Sequence, residues 1–231
     1  MRYCGIALGP GFLQLAALEE VVVAEPPVRL RASFYEPGDA GQVAAELRAL
    51  GDVVIGIGAP AGENRACDRE LAERGIPPLP YSEAAARLYA ELSELGVYMP
   101  AHPNGHQTGP VEEGAFRGAT VFETSPDAVF IALQGRRVPA RRHPLGIQRR
   151  IEELEQDHVH DPGSDLWSRR IEEIEAAGVA LAAHRFAVAH ASWVGDPGEA
   201  VVVLPGSRVP ERFGAEGVLP SVPRASLPPA A

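Results

Sequence analysis

The chain has 231 residues, 45% hydrophobic and 23% charged, an ordinary globular composition with enough length to bury a sizeable core. No apolar run approaches the roughly 20 residues of a spanning helix, and MRYCGIALGP lacks a secretory-signal pattern, so a soluble cytoplasmic protein with no membrane partner is expected. Only two cysteines, Cys4 and Cys67, are present, which excludes a disulfide scaffold or a zinc ribbon. The net charge of −10 argues against general nucleic-acid affinity, because non-specific binding needs many cations against the phosphates.

Two apolar runs, residues 4–8 and 12–18, flank Gly9-Pro10-Gly11 and predict a hairpin. A third strand is expected over 29–35. A helix follows over 40–50, where Val43, Leu47 and Leu50 recur at helical spacing. Residues 53–57 are continuously apolar and end at Gly58-Ala59-Pro60, as a buried central strand would.

Helices are expected at 67–74 and 83–95 inside an insertion of about 62–118 over one end of the sheet. A short strand (119–124) then leads into a helix with Pro126 and Asp127 in its first turn, running to Gln134. Further helices are expected over 146–156 and 168–194, the second broken at Gly178, with a last strand over 200–204. These elements define an α/β fold whose mixed sheet opens with three antiparallel strands and continues with parallel ones. Their order is the ribonuclease H-like one. Residues 1–205 would form that domain and 206–231 a Pro-rich tail.

Several segments together resemble the domain of unknown function 429 family, regarded as predicted nucleases of ribonuclease H-like fold. They are GIALG (5–9), VIGIGAP (54–60), RACDREL (65–71), TVFETSPDAVFIALQG (120–135) and AHRFAVAHASW (183–193). The resemblance places the family's acidic positions at Ala7, Gly58, Glu123 and His184, the last depending on the register of an Ala-rich helix. Only Glu123 keeps a carboxylate. The fold implies two hard cations, and Mg²⁺ needs oxygen ligands that Ala7 and Gly58 cannot supply. His184 could serve a softer ion such as Mn²⁺.

The resemblance therefore implies a degenerate protein, a pseudoenzyme without two-metal catalysis. The alternative is an active metal-dependent nuclease, with Mn or Mg on Glu123 and His184 and a recruited Asp68 or Asp127. Glu63 is a further acid beyond the Gly58 strand end, and a helix-start role suffices for Asp127.

Residues 136–150 (RRVPARRHPLGIQRR) hold six arginines and no acid, the one basic concentration in the chain. Arg136, Arg137, Arg141 and Arg142 are the expected contacts for a nucleic acid or another phosphate-rich ligand, since guanidinium binds phosphate bidentately. The bland reading is that Arg149 and Arg150 pair with Glu153 and Glu152 and the loop arginines are solvated. A protein-interaction or structural module, including a homo-oligomer, is the third reading and is what the net charge favours.

DHVHD (157–161) lacks a third ligand at fixed spacing and reads as a loop after a helix. His184 and His190 fall on different faces of a helix and cannot share a metal. Neither a Gly-x-Ser-x-Gly elbow nor a Walker sequence occurs. Cys67 reads as a small buried apolar side chain.

Overall fold

The computed structural model describes residues 1–21, 28–77, 80–95, 109–110 and 120–206. Much of the 96–119 stretch of the expected insertion, and the tail from 207, lie outside the described residues. The strands are β1 (Arg2–Gly9), β2 (Phe12–Val21), β3 (Arg29–Phe34), β4 (Val53–Gly58), β5 (Gly109–Pro110), β6 (Val121–Glu123), β7 (Val159–His160), β8 (Ala191–Asp196) and β9 (Ala200–Pro205). The helices are α1 (Ala40–Leu50), α2 (Ala66–Glu73), α3 (Glu83–Leu95), α4 (Pro126–Gln134), α5 (Pro144–Gln156) and α6 (Ile171–Ala187), with a 3₁₀ turn at Leu166–Ser168.

Among the described residues the strands form one mixed sheet in the order β5-β8-β9-β6-β4-β1-β2-β3-β7. The hairpin β1–β2 turns at Gly11, whose φ of +83° favours glycine, and β3 adds antiparallel to β2. β4 then pairs parallel to β1, β6 parallel to β4, and β9 parallel to β6. This is the ribonuclease H-like α/β arrangement expected from the sequence. No described helix is long and apolar enough to cross a membrane.

Side-chain alternation divides the central strands between two layers. Tyr3 and Ala7 of β1, Val54 of β4 and Phe122 of β6 face a core shared with α6. Cys4, Ile6, Ile55, Ile57 and Val121 face the other layer, with α1 and α3. α1 starts cleanly because Asp39 and Gln42 form a reciprocal capping box. α6 lies so close to β1 that a Cβ on Gly5 would stand 2.1 Å from the Ala176 carbonyl oxygen. Glycine on the strand and alanine on the helix are what permit that approach.

Three expectations need correction. The helix expected over 168–194 ends at Ala187, and residues 191–196 form β8, paired antiparallel with β9 along six positions. An Ala-rich run carries little period, so the change from helix to strand leaves a weak signal. α6 is continuous through Gly178, where the Phe130 ring fills the side-chain space, 2.5 Å from where a Cβ would stand. Of the described helices of the expected insertion, α3 joins α1 on one face of the sheet, and α2 packs with β8 and β9. Val159–His160 is a two-residue strand parallel to β3 rather than a plain loop.

Candidate functional site

The carboxyl ends of β1, β4 and β6 meet at one edge of the sheet, with Ala7 opposite Gly58 and Ile57 opposite Glu123. Ala7 is fully buried in the α6-side core. At Gly58 a Cβ would stand 2.8 Å from the Ile6 carbonyl oxygen and 2.9 Å from Pro126 Cγ. The first turn of α4 therefore occupies the space in which a side chain at position 58 would lie. Neither position offers a ligand atom, and at 58 the fold leaves no room for one.

Glu123 follows Phe122 in β6, and alternation turns it to the opposite face, toward α1 and α3. There it meets Arg65, the residue that precedes α2. The Arg65 guanidinium donates from both terminal nitrogens to the two Glu123 oxygens, each at 2.5 Å. The same side chain donates from Nη2 to Asp68 Oδ1 at 2.9 Å and from Nε to Oδ2 at 3.1 Å. The Arg65 backbone N–H also donates to Asp68 Oδ2, at 3.0 Å, and the Ala61 N–H to Glu123 Oε2, at 3.0 Å.

All four carboxylate oxygens are thus occupied, and Arg65 is only 6% exposed. Burial pushes the Glu123 carboxyl above its usual range, only partly offset by Arg65. Burial also pushes Asp68 upward, but there the Arg65 hydrogen bonds prevail and hold it below its usual range. Arg65 itself stays protonated.

A divalent cation on Glu123 and a recruited Asp68 belongs to the alternative, active-nuclease reading. Ligand atoms of Cys67, Asp68 and Glu123 lie within 4.8 Å of one another. The donor set does not fit a hard cation as it stands. Arg65 already provides the positive charge, and burial pushes the Cys67 thiol up to about 12, so it is a neutral thiol near neutral pH.

The other expected site residues lie elsewhere. His184 sits near the C-terminal end of α6, beside the opposite end of β1: its Nε2 is 3.1 Å from Glu20 Oε1, and its ring meets Tyr3 edge-on at 4.8 Å. Tyr3 precedes Ile6, which is level with Glu123 across the sheet, by three residues, about 10 Å along a strand. His184 also lies on the α6 side, so it cannot join Glu123 in one site. This corrects the pairing of the two, which rested on the helix register. Burial lowers the His184 pKa further, leaving the ring neutral near pH 7.

The acids of α6 that reach the β1 carboxyl end are Glu172 and Glu175, which the sequence reading passed over. Both pair with Arg141, Glu175 at 2.6 Å and Glu172 at 3.4 Å, and Arg141 also donates to the Leu8 carbonyl at 3.5 Å. Asp127 is not free either, because it takes a short ion pair from Arg150, which is 1% exposed. Arg150 also donates to the carbonyl of Gly146 one turn back in α5 (2.9 Å) and to that of Pro139 (3.1 Å), tying the loop between α4 and α5 to the helix. On the surface of α5 the observed pair is Arg149 with Glu152, at 2.9 Å, in place of the expected Arg150 with Glu152. Arg136, Arg137 and Arg142 are exposed on that loop, and Arg137 reaches the Gly75 carbonyl at 3.3 Å.

No protein-family model matches the chain, and no curated protein matches it. A solved structure to which it is similar is that of Thermus thermophilus RuvC, at 15% identity and a TM-score of 0.42, covering 82% of this chain and 96% of that one. At that identity and score nothing about the chemistry of this chain follows from the likeness.

Proposed function

We propose that this protein is a ribonuclease H-like binding protein in which arginines have taken over the acids, leaving it without two-metal catalysis. Its ligand on this reading is phosphate-rich, nucleic acid being the leading class, held by Arg136, Arg137 and Arg142 on the α4–α5 loop. The observation that carries the proposal is the Arg65 clamp, which uses every oxygen of Glu123 and Asp68. With Ala7 and Gly58 contributing nothing, and Glu172 and Glu175 paired with Arg141, the described residues of that edge offer no ready pair of hard-cation sites. The three loop arginines favour a phosphate ligand because they are exposed, whereas Arg149 and Arg150 are paired with acids.

The test is fluorescence anisotropy of a labelled single-stranded oligonucleotide, with inorganic polyphosphate as competitor, across a salt series. Binding should weaken with salt, and Arg136→Ala/Arg137→Ala/Arg142→Ala should lower the slope of log affinity against log salt by about 2. Affinity indifferent to salt and to the triple variant would overturn the binding reading. Metal-dependent cleavage that vanishes in Glu123→Ala would favour a rearranged nuclease using Mn or Mg. A concentration-dependent oligomer with no polyanion affinity would favour the interaction module.

A further inference from the structure

Arg141 belongs to the arginine-rich loop, yet it is turned inward onto α6 while Arg136, Arg137 and Arg142 point outward. Its acceptor Glu175 is 3% exposed, a carboxylate with almost no water around it. Four charged groups among the described residues bear most strongly on that carboxylate. Arg141 comes from the loop, Arg150 from α5, Asp127 from α4 and Glu172 from α6 itself. Three acids face two arginines, so the group carries one negative charge in excess.

The pairing is also incomplete on the arginine side. Arg141 Nε is buried and has no acceptor among the described residues, although the side chain as a whole is 36% exposed. Arg141 is thus held by one close ion pair and two longer contacts, with its outer portion already in water. The loop has a second anchor, because Arg150 of α5 independently holds the Pro139 carbonyl.

We infer that Arg141 is a proton-released fourth ligand of the loop: protonating Glu175 frees its guanidinium to swing outward and join the exposed arginines on a phosphate-rich ligand. The inference rests on the binding reading above and adds its regulation. Burial raises the Glu175 pKa to about 7, with Arg141 and Arg150 only partly offsetting it, so the release falls in the neutral range. The direction follows from linkage. A ligand that takes Arg141 from the Glu175 carboxylate raises that group's proton affinity, so binding takes up at most one proton. Affinity therefore tightens as pH falls, by no more than about tenfold per pH unit.

The test follows oligonucleotide affinity between about pH 6 and pH 8 in the native chain and in Glu175→Gln, which mimics the protonated acid. The native protein should bind roughly 3- to 10-fold more tightly at the acid end, and Glu175→Gln should bind tightly throughout with that pH dependence gone. Equal pH slopes in the two proteins would overturn the inference. A ligand-free arm separates it from the binding reading. The Arg141 Nε–H NMR signal, assigned by its loss in Arg141→Ala, should lose protection against exchange, measured relative to free arginine at the same pH, as pH falls. That protection should already be low in Glu175→Gln. If the native Arg141 signal keeps the same protection at both ends of the range, the latch is wrong whatever binds; if it responds and nothing binds, the binding reading alone fails.

Discussion

Removing the Arg65 side chain tests the clamp most severely as an element of stability. Arg65→Ala would strand Glu123, a 9% exposed carboxylate, against the α1 and α3 layer with only the Ala61 N–H as donor. Breaking a buried pair from one side costs about 3–5 kcal/mol, because the remaining charge keeps its desolvation without its partner. For a chain of this size each kcal/mol moves the midpoint by about 2–4 °C, so melting should fall by on the order of 10 °C. Urea unfolding followed by circular dichroism measures the loss directly. A double-mutant cycle with Glu123→Ala should give a coupling of about 2 kcal/mol or more, with the double variant recovering part of the stability. A loss below about 1 kcal/mol, the range of exposed pairs, would refute the claim that the clamp is buried and committed.

Other predictions follow from the same contacts. Gly58→Asp, which restores a carboxylate at the resembled position, should destabilise by about 1–3 kcal/mol through its clash with Pro126 and the Ile6 carbonyl, and should add no metal affinity; denaturation and Mn²⁺ titration check both. Gly5→Ala should cost at least as much, since α6 must lift from β1, and a variant as stable as the native protein would contradict the 2.1 Å approach. Glu175 has a folded pKa near 7 against an ordinary value of 4.5, so its folded state holds the proton more tightly. Its contribution is fully present below about pH 4.5 and is lost as pH rises toward 7, a change on the order of 3 kcal/mol. Stability measured across that window should flatten in Glu175→Gln.

The sheet was legible because its signals are local. The Gly9–Gly11 break, the run 53–57 and the period of 40–50 each lie within one element, and β1, β2, β4 and α1 appear where those signals fall. β8 was not legible, since ASWV extends an Ala-rich run and becomes a strand only by pairing with β9. The site was legible in part. Ala7, Gly58 and Glu123 stand at the expected strand ends, but the partner of Glu123 is 58 positions away and no sequence period connects it to Arg65. Spacing along a chain also says nothing about which sheet face a residue meets. The resemblance places His184 beside Glu123 only through a helix register, and no motif points to Glu172 or Glu175. The acidic triplet within IEEIE, whose members 172 and 175 share a helix face, is the signal that could have drawn attention to Arg141.

The most direct measurement of the central claim is calorimetric titration of Mn²⁺ and Mg²⁺ into metal-free protein beside Glu123→Ala. The account predicts no heat attributable to Glu123, because Arg65 already holds its carboxylate, and therefore the same flat titration from both proteins. Stoichiometric binding by the native chain that disappears in Glu123→Ala would mean that a cation displaces Arg65, and would contradict the account.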